Sequence, residues 1–297
     1  MARSPSALER LDDGRLRVEK GPMSLVIAAR WAGRPRAGEL VLAGRYALQI
    51  LDELAAHRAL LGVDARRIRN PVALPPVVRA MWEAAARFPD RFVTPLVAVA
   101  GTVADFVADF LVRRGATWAV VSNGGDVALR LAPGERASVG VVERVSAPAP
   151  AARFEVGSGD GVGGVATSGL GGRSLTLGVA DAVVVAASSA SVADACATLV
   201  ANQVNVDSPA VCKAPAEEVD PATDLKGLEV TVGVGRLESH EVAAALDRGE
   251  AEARQMLEAG HIRGAILSLR GERRFVGWPG EEGVEGFGRW DVGRLGR

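Results

Sequence analysis

The sequence predicts an α+β protein, with mixed or antiparallel sheets and helices packed against them. Three observations lead there. Short apolar runs stand next to one another across turn residues, as residues 117–122 and 127–131 do on either side of Asn123-Gly124-Gly125-Asp126. Longer segments repeat their apolar residues at helical spacing. Strand-like runs neighbour one another in hairpins instead of alternating strictly with helices, which disfavours a doubly wound sheet.

Residues 16–30 read as extended segments broken at Gly21-Pro22 and centred on Leu25, Val26 and Ile27. In residues 38–61, Leu40, Ala43, Ala47, Leu48, Leu51 and Leu54 recur at helical spacing, with Glu39, Arg45, Asp52 and Arg58 off that stripe. Pro75-Pro76 opens a second helix through Arg87, since proline suits a first turn. Residues 92–100 predict a buried strand and 101–114 the helix after it. Beyond the Asn-Gly-Gly-Asp hairpin, residues 137–142 and 152–156 add strands, separated by a Ser-Ala-Pro-Ala-Pro loop at 146–150. A glycine-rich stretch, 157–178, then interrupts the pattern. A strand at 182–187, a helix at 191–202, a strand at 229–235, a helix at 239–259 and two strands within 264–276 complete the reading. Residues 1–277 make one α+β domain, either single or as two intimately joined halves; the Gly-rich, charged tail 278–297 receives no assigned structure.

The composition bounds the function. Of 297 residues, 48% are hydrophobic and 24% charged, within the range of ordinary globular proteins. A net charge of -1 offers no electrostatic case for nucleic acid. Cys196 and Cys212 form neither a disulfide framework nor a zinc-ligand spacing. The N-terminal Met-Ala-Arg-Ser-Pro-Ser has no apolar leader pattern, so the expected location is cytoplasmic. The apolar stretches 93–112 and 179–201 carry Asp105 and Asp109, and Asp181 and Asp194, so neither reads as a membrane span.

Three short segments combine small residues with oxygens able to hold phosphate or a hard metal ion. They are Asn123-Gly124-Gly125-Asp126, Ala166-Thr167-Ser168-Gly169, and Asp194 with Thr198. Each has a structural alternative. Asn-Gly-Gly-Asp is also the chemistry of a tight turn, which demands positive φ. Asp194 and Thr198 share a helix face and suit Mg²⁺, yet Ser191-x-x-Asp194 equally resembles a capping box. Asp105 and Asp109, also four apart, suit a solvated or boundary face better than a second metal site. Gly159-x-Gly161-x-x-Gly164 satisfies the dinucleotide fingerprint, but no good helix follows it.

Taken in order, a Pro95–Gly101 segment, Asn-Gly-Gly-Asp, Ala-Thr-Ser-Gly, an Ala-Asp-Ala-Val strand and Ala-Asp-Ala-x-Ala-Thr resemble the ApbE superfamily of FAD:protein FMN transferases. The likeness is closest to its cytosolic, uncharacterised branch and covers residues 71–202. It implies a T-fold-like architecture, FAD or FMN as cofactor, Mg²⁺, and transfer of FMN from FAD to a Ser or Thr of an acceptor protein. By resemblance, Asp194 and Thr198 match metal ligands. Asn123, Gly124, Gly125, Asp126, Ala166, Thr167, Ser168, Gly169 and Arg173 match contacts to a flavin or adenine nucleotide. Two departures stand out. Val103-Ala104-Asp105-Phe106 replaces the usual Ala-Lys-Gly-Tyr, and the region from Gly172 to Gly178 lacks the usual His and Asp-Pro. Two functions remain open: FMN transfer, or a noncatalytic cofactor-binding or maturation partner of another enzyme. An unrelated phosphate-handling hydrolase is a third.

Overall fold

Strict alternation along the third strand shows how the sequence builds its first layer. In Met23–Arg30, the side chains of Met23, Leu25, Ile27 and Ala29 are buried while their neighbours are not, the period of two that a half-covered sheet requires. This is a computed structural model. It describes residues 7–141, 152–172, 174–277 and 290–291, and the chain divides into two compact units. The first unit holds the chain up to Ala137, Gly157–Val165 and Ser188–Ala195; the second holds Ser138–Val156, Ala166–Ala187 and the chain from Cys196.

In the first unit, β1 (Ala7–Arg10), β2 (Leu16–Lys20), β3 (Met23–Arg30), β4 (Trp118–Asn123) and β5 (Asp126–Leu131) lie side by side in that order, each antiparallel to the next. The helices α1 (Ala37–Ala56), α2 (Arg58–Leu61), α3 (Pro76–Ala85) and α4 (Val99–Arg113) belong to the same unit. Leu40, Ala43, Ala47, Ile50 and Leu54 of α1 join Val103, Val107, Ala108 and Leu111 of α4 in one core with Val18, Leu25, Ile27 and Val121 of the sheet. Two further strands follow, β6 (Arg136–Val141) and β7 (Ala152–Gly157). The first residues of β8 (Gly164–Ser168) then pair with β5, Val165 opposite Val127 and Gly164 opposite Ala128.

After β9 (Ala182–Ala187) comes α5 (Ala190–Gln203), whose first turns belong to the first unit. The second unit continues with β10 (Val211–Pro215), α6 (Ala216–Val219), β11 (Glu229–Val234), α7 (Ser239–Glu258), β12 (Gly264–Leu269) and β13 (Glu272–Val276). β9, β12 and β13 are antiparallel neighbours, and β10 pairs with β11. A two-residue strand, β14 (Trp290–Asp291), pairs with β7, and β7 in turn neighbours β6. A capping box between Glu238 and Glu241 starts α7.

The α+β class holds. Residues 92–100 are a correction: they form no strand but a 3-10 turn at Pro95–Ala98 that runs into α4. A continuous apolar run does not distinguish strand from buried helix, and Pro95 fits the start of a helical turn. The predicted helix 38–61 ends at Ala56 and resumes as the short α2. β8 lies within the glycine-rich stretch, β10 and α6 occupy a loop region, and β14 lies in the expected tail. By length and composition Pro95–Arg113 is apolar enough to cross a membrane, and more than half of it is buried in this fold.

Candidate functional site

The Asn-Gly-Gly-Asp segment is a two-residue hairpin, with Asn123 opposite Asp126. Gly124 has φ 66 and Gly125 φ 131, conformations that exclude most side chains, so the glycines are required by the turn itself. The flanking residues turn inward. Asn123 is buried and its Nδ2 donates to the carbonyl of Ala100 at 3.2 Å, which ties the hairpin to the start of α4.

Asp126, also buried, meets Asp194 of α5, and the two carboxyl groups hydrogen-bond to each other. Burial first, and the negative field of Asp126 second, push the Asp194 carboxyl well above the ordinary carboxylate range. Hydrogen bonds from the backbone N–H groups of Gly101 and Ala100 act in the opposite direction without reversing the shift. Gly101 N donates to Asp194 Oδ2 at 3.0 Å. Asp194 therefore caps α4, a helix other than its own.

The favour is returned. Asp105 of α4 accepts from Ala190 N at 3.1 Å and from Ser191 N at 2.8 Å, the first two amides of α5. Ser189 Oγ takes the next, from Val192 N at 3.3 Å. The capping box expected from Ser191 and Asp194 is thus replaced by a local cap at Ser189 and an exchange of carboxylates between two helices. Asp105 and Asp109 lie at a boundary face, Asp105 buried and Asp109 half-exposed, and both are ion-paired. Arg130 of β5 donates to Asp105 Oδ1 at 3.0 Å and to Asp109 Oδ1 at 2.6 Å. Burial opposes the charge on Arg130, but the hydrogen bond to Asp109 and the fields of both aspartates outweigh it and hold the guanidinium pKa above its usual value. Composition and periodicity gave no hint of Arg130. Its signal would have been an arginine on a sheet strand with two carboxylates four apart on a buried helix.

Asn123, Gly124, Gly125, Asp126 and the start of α5 with Asp194 therefore gather in the first unit. Ala166, Thr167, Ser168, Gly169 and Thr198 belong to the second. Thr198 is half-buried, one turn along α5 from Asp194. Ala166 is buried and Thr167 and Ser168 are half-buried in β8. Gly169 has φ 129, and a Cβ there would lie 2.9 Å from Ala180 O, so no other residue fits. The turn behind it is pinned by Leu170 N to Ala180 O at 2.9 Å and Gly171 N to Asp181 O at 3.0 Å. Arg173 lies outside the described residues. Among the described residues no three His, Cys, Asp or Glu side chains cluster as metal ligands. Two hollows of the first unit, about 190 and 360 Å³, are lined by other residues, including Arg66, Trp82 and Phe88 in one and Tyr46 and Phe106 in the other.

A family model described as "AbpE bacteria" matches residues 8–275. The chain belongs to this ApbE-like family. A UPF0280 protein of Methanothermobacter thermautotrophicus is 34% identical over 237 residues, covering 72% of this chain and 91% of the relative. UPF0280 proteins of Methanothrix thermoacetophila and Methanosphaerula palustris are 37% and 41% identical over 45% and 46% of this chain; the matches span 54% and 58% of those relatives, little more than half their length. The apo flavinyl transferase ApbE of Pseudomonas stutzeri aligns over 93% of this chain and 95% of its own at 14% identity, with a TM-score of 0.46. Superposition that loose carries no weight for activity.

Proposed function

We propose that this chain is a cytoplasmic ApbE-like protein that binds a flavin or adenine nucleotide together with Mg²⁺. The observation that supports it is the Asp126–Asp194 pair, two carboxyl groups in hydrogen-bond contact beside the start of α4. Like charges so close favour either a retained proton or a cation. The acid pair fits Mg²⁺: Asp126 and Asp194 offer hard oxygens, and this ion ordinarily keeps waters and substrate phosphates as its remaining ligands, with the Thr198 hydroxyl a further proposed ligand. When bound it would neutralise charge developing on a pyrophosphate.

The activity that family membership suggests is FMN transfer from FAD. A Ser or Thr oxygen of an acceptor protein forms a bond to the FMN phosphorus, the bond from that phosphorus to the AMP oxygen breaks, and the hydroxyl proton leaves to a base. Asn123, Gly124, Gly125, Ala166, Thr167, Ser168, Gly169 and Arg173 remain the proposed nucleotide contacts. One observation favours the noncatalytic alternative, a cofactor-holding or maturation partner. In the stretch that replaces Ala-Lys-Gly-Tyr, Asp105 is consumed by two backbone amides and Arg130, so it offers no free proton acceptor.

Nucleotide affinity measured by calorimetry against Mg²⁺ concentration tests the binding reading. Saturating FAD, FMN or adenine nucleotide at a hundred times Kd should stabilise the protein by about 2.7 kcal/mol. Asp126→Asn should weaken binding by about 1–3 kcal/mol, and Asp194→Asn and Thr198→Val should both lose its Mg²⁺ dependence. Wild-type metal dependence in these last two variants refutes the metal site. FMN mass addition to an acceptor protein, with AMP release, separates transferase from partner.

A further inference from the structure

We propose that Asp105 is a positioning residue that aims Asp194 at Asp126, with Arg130 as its counter-charge. This rests on the reading that the acid pair takes a divalent cation. The Asp105 side chain reaches Asp126 and the Gly101 amide through α5, whose start it holds. It has the means. Asp105 is 5% exposed, and its carboxylate holds Ala190 N and Ser191 N, which fixes where α5 begins. Asp194 follows within the next turn of the same helix.

Arg130 pairs with that carboxylate and holds it in place, and it is itself anchored by Asp109 and by the carbonyls of Leu129 at 3.0 Å and Gly163 at 3.1 Å. Glycines remove the slack around the same turn. A Cβ on Gly101 would stand 2.2 Å from Ala190 O, one on Gly163 2.1 Å from Ser188 O, and one on Gly164 2.1 Å from Ala190 N. Backbone therefore packs on backbone from two sides of residues 188–190, with no flexible side chain to absorb a shift. A displaced α5 start carries Asp194 away from both Gly101 and Asp126.

The test uses the full-length protein and two readouts. In metal-free buffer, Asp105→Ala should raise hydrogen exchange at the Gly101 amide by about tenfold, a local opening beyond the change in global stability. Met81→Ala, a core truncation in α3, should change Gly101 only in step with global stability. Asp105→Asn, which keeps an acceptor oxygen, should restore part of the protection. With Mn²⁺ as the probe cation, Asp105→Ala should weaken affinity by about tenfold or more, as loss of a ligand-orienting partner does; Met81→Ala should leave it at the wild-type value. Unchanged Gly101 exchange in folded Asp105→Ala, or in Asp105→Asn if the alanine variant does not fold, overturns the positioning role. Wild-type Mn²⁺ affinity in the same variant overturns it as well. A wild-type protein that takes up no Mn²⁺ refutes the cation reading instead, and the exchange at Gly101 then decides the positioning alone.

Discussion

Two tight hairpins of the molecule both turn through two residues of positive φ and differ in purpose. In the first unit, Gly124 and Gly125 join β4 to β5; in the second, Arg270 and Gly271 join β12 to β13, with φ 51 and 86. At the first, a Cβ on either glycine would meet nothing within 4 Å, so the tip is bare. Its flanks, Asn123 and Asp126, are buried, 7% and 8% exposed, and carry the side-chain polar contacts, while the tip contributes only main chain, Gly124 N donating to Ser24 O at 3.2 Å. At the second the tip does the holding. Arg270 N donates to Asp181 Oδ2 at 2.5 Å and its guanidinium reaches the carbonyls of Val234 and Gly235, while the flanking Glu272 is exposed. A clasp needs a long side chain at the tip and tolerates left-handed strain to place it. A hairpin that delivers an amide and an acid inward needs the tip only to turn.

If the first hairpin matters through what its flanks meet, the costliest substitution lies beside it and not on it. Gly101→Ala drives a Cβ into the Ala190 carbonyl and should cost about 3 kcal/mol, the upper end of ordinary overpacking. Gly124→Ala, with open space and only its φ against it, should cost about 1–2 kcal/mol. Urea titration of both variants checks the order, and equal costs would break the contrast.

The next effect is one of pH. Asp194 has a folded pKa above its unfolded value, so the folded state holds its proton more tightly. That contribution is complete below the ordinary carboxylate pKa and is lost as pH rises from there through the raised value. In metal-free buffer, wild type should therefore lose stability relative to Asp194→Asn as pH rises through that window. A constant gap between the two across the same range would remove the acid pair from the comparison.

At the second hairpin the expected difference is smaller. Arg270→Ala and Arg270→Gly both lose the guanidinium contacts and keep the backbone bond to Asp181, but alanine alone keeps the left-handed strain. The glycine variant should be the more stable by about 1 kcal/mol or less, since glycine also gains entropy when unfolded. Thermal unfolding of the pair reads it directly.

What was legible beforehand follows the same division. Turn chemistry is local, so Asn-Gly-Gly-Asp announced its hairpin, and the periodicity of residues 38–61 announced α1. Fold class was legible for the same reason. Gly163 and Gly164 misled: within a glycine-rich stretch they read as loop, whereas they are small because β8 presses on the turn before α5. The run of residues 92–100 misled because apolarity without period carries no element type. Asp194 was singled out, but its partners Gly101 and Asp126 are distant in sequence, and Ser191 stood nearer than the true cap at Ser189. Asp105 stood out as one of two aspartates four apart and as a departure from a motif, and Arg130 not at all, because a salt bridge between a strand and a helix leaves no pattern in either.

The exchange of caps also sets a timetable. The carboxylate that closes the start of α4 is made 93 residues after Gly101. At about 5–20 residues per second on the ribosome, α4 emerges and waits roughly 5–20 s before its acceptor exists. Its own Asp105 waits nearly as long for the amides it will hold, 85 and 86 positions on. Neither exchanged cap forms until both helices are made, and a nascent chain stalled before residue 190 leaves Asp105 without its two amides and the start of α4 without Asp194.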